Sequence, residues 1–401
     1  MTTERDDPPR TEPQRRGELD SLRILVVLGL VFFHAALVFD ASDDFYVKNS
    51  ETTGVITILI GLGVVWAMPL LFLVAGIGSW HSLRKRGPGR YAVERLLRLG
   101  VPLVFATLTI IPVPQWLRAR SEQGYDGSYW QFLPRFFDVR FSLTDFPFVL
   151  RGEYFETGHL WFVVLLLTFA LLLAAAVRRL PREWGRRAVD TLAAAAQRPG
   201  VILLAALPIA VVNALLGLEE GLAGWNRWAY LLLFGYGYLL AADERFGAAL
   251  RRNARPAAVL GVLAFGAASP GFISDGSDPF TGTDALSVIS RVFFSVSGWC
   301  CLVAILGLLD RRHSGKGHSG KGRSGEARGR LYAYLGAAAL PIYVLHQPIV
   351  VAVAYQVVPW DAPIIVEYAV IVVVSLVLIF AAYDLLVRRT RVTRFLFGMR
   401  A

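Results

Sequence analysis

The chain has 401 residues, 55% of them hydrophobic and only 18% charged, with a mean hydropathy of +0.49. That is far more apolar than a soluble domain of this length requires, which excludes an ordinary water-soluble enzyme. The net charge of +10 does not point to nucleic acid, because the 41 basic residues cluster in short segments between apolar runs, where membrane topology accounts for them.

The polar, Pro-rich start "MTTERDDPPRTEPQRRGE" reads as a disordered cytoplasmic tail over 1–18 and is no signal peptide. Ten apolar runs then follow, each long enough to cross a bilayer at about 20 residues per span: 22–40, 54–79, 91–112, 159–177, 200–217, 226–242, 256–273, 288–309, 331–354 and 362–387. The connecting segments 80–90, 178–198, 243–255, 310–330 and 388–400 are rich in arginine, whereas 41–53, 218–225, 274–284 and 355–361 carry almost none. The first set and both termini are therefore expected in the cytoplasm. The fold expected is an all-α integral membrane protein of about ten transmembrane helices, multi-pass in the inner (plasma) membrane. Its membrane domain covers 19–387, with a long extracytoplasmic loop at 113–158, a flexible basic loop at 310–330 and a basic cytoplasmic tail at 388–401.

Several features carry less than their motifs suggest. The repeat "HSGKGHSGKGRSG" satisfies G-x-G-x-x-G twice, but without a strand before it and a helix after it this is not a nucleotide site. A flexible basic segment near anionic lipid is the better reading, with metal binding by His313 and His318 a minor option. Cys300 and Cys301 are adjacent in an apolar run and read as packing residues, without disulfide or zinc spacing. No metal site is expected. Arg291 reads as an interfacial anchor at the end of the eighth run.

The first apolar run, "LDSLRILVVLGLVFFHAALVF", contains Arg23 near its start and His34 deep inside. An imidazole in hydrocarbon is costly and marks a functional site by default. Eleven residues at 100° each make three turns plus about 20°, so the two side chains share a face roughly 16 Å apart along the axis. A long substrate with an anionic head and a reactive tail fits that layout. The alternative is a topological anchor at Arg23 and interhelical hydrogen bonding by His34. At the start of the third run, "RYAVERLLRLGVP" sets Arg95 and Arg98 three apart, a fork suited to phosphates, or else a basic flank in which Glu94 pairs with Arg98.

With its Arg-x10-His spacing and "RLLR", this sequence resembles the membrane acyltransferase 3 family. The segments "GHLWFVVLLL", "IYVLHQPIVV" and "YDLLVRRTRVTRFLFG" resemble most closely the branch that includes the glucan-succinylating glucans biosynthesis protein C. The resemblance implies an enzyme that moves an acyl group, acetyl or succinyl, from cytosolic acyl-CoA to a hydroxyl of an extracytoplasmic glycan or glycolipid. It assigns the motif histidine to His34 and the motif arginines to Arg23, Arg95 and Arg98, with acyl-CoA as co-substrate and no permanently bound cofactor. CoA supplies phosphates for the arginines and a pantetheine arm long enough to reach His34, which is suited to act as general base; an acyl-histidine intermediate is the other route.

On the acceptor side, His159 and Trp161 lie in "GHLWF" at the mouth of the fourth run, and His346 and Gln347 precede Pro348 within the ninth, where a kink would open backbone groups to a cavity. Trp161 suits either sugar stacking or the aromatic belt. Glu153 and Glu156 are candidate acidic partners of a histidine. The rival from another class is a transporter of an organic anion, against which no repeated half with paired broken helices is seen.

Overall fold

A computed structural model describes residues 12–42, 44–274, 276–314 and 323–399. Helix α1 (Glu12–Leu37) begins inside the segment expected to be unstructured; residues 1–11 lie outside the described part. A folded turn leads to α2 (Gly54–Val64) and α3 (Ala67–Arg86), then α4 (Pro88–Arg95), α5 (Val101–Thr109) and α6 (Pro112–Glu122). The long loop contains α7 (Tyr129–Phe136) and a small antiparallel hairpin, β1 (Arg140–Phe141) with β2 (Leu150–Arg151). Helices α8 (Trp161–Arg179), α9 (Arg182–Ala196), α10 (Ala206–Leu216), α11 (Arg227–Leu240), α12 (Glu244–Ala268) and α13 (Pro270–Ile273) follow. The chain ends with α14 (Ala285–Ser314), α15 (Arg323–Val357), α16 (Ile364–Ala382) and α17 (Arg391–Leu396). Helices α14 and α15 shorten the expected 310–330 loop from both sides. The side chains of His313 and His318, the minor metal option, lie outside the described residues.

Eight helical stretches among the described residues are long and apolar enough to cross a membrane. The count differs from ten at the fifth and sixth apolar runs. The fifth forms the shorter apolar helix Val201–Leu216, and the sixth forms α11, whose 14 residues rise about 21 Å against a hydrocarbon core of about 30 Å. These two come as a pair, so removing both from the count leaves its parity even. Both are packed into the bundle. A Cβ added at Gly237 of α11 would lie 1.9 Å from the Leu73 carbonyl oxygen of α3, and one at Gly76 would lie 2.0 Å from that of Phe234. Glycine at both crossing points lets the backbones touch, the usual device of helix pairs in lipid.

Two helices organise the site. Arg23 on α1 donates from Nη2 to the Gly336 carbonyl of α15 at 3.4 Å, and eleven residues later the His34 ring meets the His346 ring, ten residues beyond Gly336, at a centroid distance of 4.8 Å. Helices α1 and α15 therefore run parallel in matched register. Helix α16 packs beside both, with the Tyr368 hydroxyl donating to the Phe32 carbonyl. Next to them Phe72, Trp161, Phe162, Phe169 and Tyr230 form an aromatic core joining α3, α8 and α11.

Arg291 is not an interfacial anchor. It is 3% exposed and donates from Nε to the Pro279 carbonyl at 2.8 Å, with Nη1 reaching the Ala214 carbonyl and Nη2 those of Asp278 and Gly282. A buried guanidinium must fill its donors, and the turn at 278–282 supplies oxygens that would otherwise have gone to water. Cys300 and Cys301 are free thiols on α14, Cys300 buried, and Gly261 of α12 packs against them.

Candidate functional site: an arginine end and a histidine end

Three histidines distant in sequence converge at one level of the bundle. His34 comes from the last turn of α1, His159 from the short 3-10 turn Gly158–Leu160 that opens α8, and His346 from the middle of α15. The His346 ring stands 4.8 Å from His34 and 4.8 Å from His159, both edge-on. All three are buried, at 9%, 4% and 0% exposure for His34, His159 and His346.

The backbone fixes which ring nitrogen is basic. His34 Nδ1 lies 2.8 Å from the Leu30 carbonyl and His346 Nδ1 lies 2.6 Å from the Tyr343 carbonyl. Carbonyl oxygens only accept, so in each case Nδ1 carries the hydrogen and Nε2 keeps the lone pair. His346 Nε2 is buried and makes no hydrogen bond among the described residues. His159 differs: its Nδ1 faces Gln347 Oε1 at 2.7 Å and its Nε2 faces the Val344 carbonyl at 3.1 Å. Both of its ring nitrogens face an oxygen, and a neutral ring donates to one of the two. Its backbone N–H also donates to Gln347 Oε1, and the Tyr343 hydroxyl donates to its carbonyl. The turn requires Gly158, at φ +48°, where an added Cβ would press on Gln347 Oε1 and the Tyr46 hydroxyl, each 3.4 Å away.

The carboxylates expected beside a histidine are elsewhere. Glu156 accepts from the Tyr46 hydroxyl, and the exposed Glu153 is engaged with Tyr154, so neither meets an imidazole. Backbone carbonyls and one amide occupy that role, at no cost of a second buried charge. Burial pushes the Glu156 carboxyl above the usual carboxylate range, opposed by its bonds to Tyr46 and Gln115 and by the Arg118 charge. Trp161 is half-buried at the start of α8 and packs against Phe72 and Tyr230 in the aromatic core.

The arginines gather at the other end of the α1/α15 pair. Arg23 touches Gly336; one turn along α15, Leu340 lies against Gly398, whose carbonyl faces Arg98 Nε at 3.5 Å. The fork of Arg95 and Arg98 is spread rather than closed. Arg98 belongs to a π-helical turn, Leu96–Gly100, that begins just after Arg95; Arg95 lies over the Tyr91 ring at 5.0 Å while Arg98 turns to Gly398 and to Glu94, 3.9 Å away. A second π turn, Tyr383–Val387, sits at the same end, its Asp384 bound to the Tyr334 hydroxyl and to Arg388. Helix α17 lies within the tail read as a basic flank and joins the two: Thr393 bonds the Val387 carbonyl, and Phe397 packs on Phe105 at 5.5 Å. The Nε atoms of Arg23 and Arg95 are buried and make no hydrogen bond within the described residues.

The sequence of the acyltransferase 3 family's acyltransferase domain matches residues 16–384, nearly the whole membrane region. The chain belongs to the acyltransferase 3 family. It is a membrane acyltransferase, multi-pass by its apolar helices. No curated protein and no solved structure matches it, so no named relative supports the glucan-succinylating branch. The residues around the histidines that sequence reasoning missed are Tyr343, Gly158 and Tyr46, which hold the histidines and their loop. Of these only Tyr343 left a readable signal, three residues before His346 and so on the same helix face.

Proposed function

We propose that this acyltransferase takes an acyl group, acetyl or succinyl, from cytosolic acyl-CoA and delivers it to a hydroxyl of an extracytoplasmic glycan or glycolipid, acting in the inner (plasma) membrane. The observation that carries this reading is the pairing of two ends along α1 and α15: Arg23 at one, with Arg98 of the neighbouring element brought against α15 through Gly398, and basic imidazoles at His34 and His346 about 16 Å along the axis from Arg23. CoA phosphates occupy the arginine end, where guanidiniums that are spread rather than forked suit several phosphate groups better than one. The pantetheine arm runs along α1 and α15 and brings the thioester to the histidines. There His34 Nε2 takes the acceptor's hydroxyl proton as the oxygen attacks the thioester carbon, and the carbon–sulfur bond breaks to release CoA.

The test places the full chain in lipid vesicles with acyl-labelled acyl-CoA on the arginine side and a periplasm-type glucan on the other. Label covalently attached to the glycan is the expected result. Intact labelled solute crossing without any ester formed would replace the acyl-CoA reading by transport of an organic anion.

A further inference from the structure

Acyl transfer from a thioester to an alcohol is neutral in protons overall. The hydroxyl loses one and the departing thiolate needs one, so the site must both take and return it. His34 supplies one basic nitrogen. We propose that His346 is a second catalytic base, and that Nε2 of His34 and Nε2 of His346 pass the acceptor's proton to the CoA thiolate. The inference rests on the acyl-CoA reading and deepens it.

Four observations carry it. The two rings are in edge-to-face contact, their centroids 4.8 Å apart at 66°. Each ring has its Nδ1 hydrogen tied to a carbonyl of its own helix, so both present the same basic nitrogen, and neither can turn it inward without losing that bond. His346 Nε2 is fully buried and makes no hydrogen bond among the described residues, an arrangement that is costly when it serves only packing. The third ring is hemmed in on both sides: each nitrogen of His159 faces an oxygen, of Gln347 and of Val344, and its edge-on contact at 4.8 Å lies against His346. His159 and Gln347 are thus positioning residues.

The step balances as follows. The acceptor oxygen bonds to the thioester carbon, the carbon–sulfur bond breaks, and the hydroxyl proton moves to His34 Nε2. The resulting imidazolium gives that proton to His346 Nε2, which returns it to the thiolate and is neutral again. No other reactant is required, and both imidazoles end as they began.

The experiment compares wild type, His346→Gln and His346→Ala in vesicles. It records acyl-CoA affinity, turnover, the solvent deuterium isotope effect and the response to added imidazole. The relay requires acyl-CoA affinity within about twofold of wild type, turnover lowered about 10²–10⁴-fold in both variants, and partial recovery of His346→Ala by imidazole. His346→Gln with turnover within threefold of wild type overturns it. So does a loss of turnover that imidazole does not relieve and that comes with weakened acyl-CoA binding, because that pattern belongs to packing. Absence of transfer by the wild type would refute the acyl-CoA reading and the relay together, whereas transfer by the wild type and by His346→Gln alike refutes the relay alone.

Discussion

Replacing His34 by glutamine separates chemistry from packing. The histidine donates one hydrogen bond, Nδ1 to the Leu30 carbonyl at 2.8 Å, and touches Phe33, Phe45 and His346 at centroid distances of 5.4, 6.0 and 4.8 Å. A glutamine amide at the same depth can donate to Leu30 but accepts no proton near neutral pH. Losing the three ring contacts costs about 1.5–4.5 kcal/mol of stability at roughly 0.5–1.5 kcal/mol per ring pair, which a bundle of this size tolerates. Losing the base costs about 10²–10⁴ in turnover, or roughly 3–5 kcal/mol of barrier. Turnover per folded protein should therefore collapse while acyl-CoA affinity, set about 16 Å away at the arginine end, stays constant. Acyl-CoA binding by calorimetry and label transfer to glycan, measured on the same vesicles, check both halves. If His34→Gln turns over at a third of the wild-type rate or better, His34 is an interhelical hydrogen-bonding residue and the reasoning fails.

Arg95→Ala and Arg98→Ala should each weaken acyl-CoA binding by about 10–100-fold, the loss of one charge-assisted contact of roughly 1.5–3 kcal/mol. Titration with CoA and with a dephosphorylated analogue, which should be insensitive to at least one of the two changes, tests the phosphate assignment. Burial raises the folded-state pKa of Glu156 above its ordinary value, so its contribution to stability is present below that ordinary value and is lost as pH rises through the folded one. Thermal melts should accordingly fall with rising pH across that window in wild type and flatten in Glu156→Gln; an unchanged slope would exclude Glu156 as the source. A reporter active only outside the cytoplasm and fused after Ala401 should stay silent, and activity there would mean an odd number of crossings.

How much of this was legible in the sequence depended on the range of the interaction. Helical periodicity and the Arg23-x10-His34 spacing are local, and the axial separation of the two ends followed from 1.5 Å per residue alone. The short rise of α11 is also local, but its composition hid it: "RWAYLLLFGYGYLL" is apolar enough to read as a span, although its 14 residues rise only about 21 Å. Arg98 belongs to a π turn that no residue pattern announces. The partners of the histidines were misjudged because a carboxylate is the familiar orienter of an imidazole. In lipid, carbonyl groups from the same helix, one turn back, do that work without introducing a further charge.

The convergence of His34 and His346 is the least local feature and the one on which the chemistry turns. Each histidine alone is a single polar residue in an apolar run, indistinguishable from interhelical glue. Their meeting depends on α1 and α15 being parallel and in register, which the Arg23 contact with Gly336 sets at the far end. Between those contacts lie eleven residues on one helix and ten on the other, a difference of about 1.5 Å that slight tilt absorbs. Shifting either helix by a full residue would turn its histidine by 100°, off the shared face, while leaving hydropathy and charge untouched. The same register that brings the two basic nitrogens together therefore also fixes how far they stand from the arginines. In this fold the reach of the donor and the place of the chemistry are one geometric quantity.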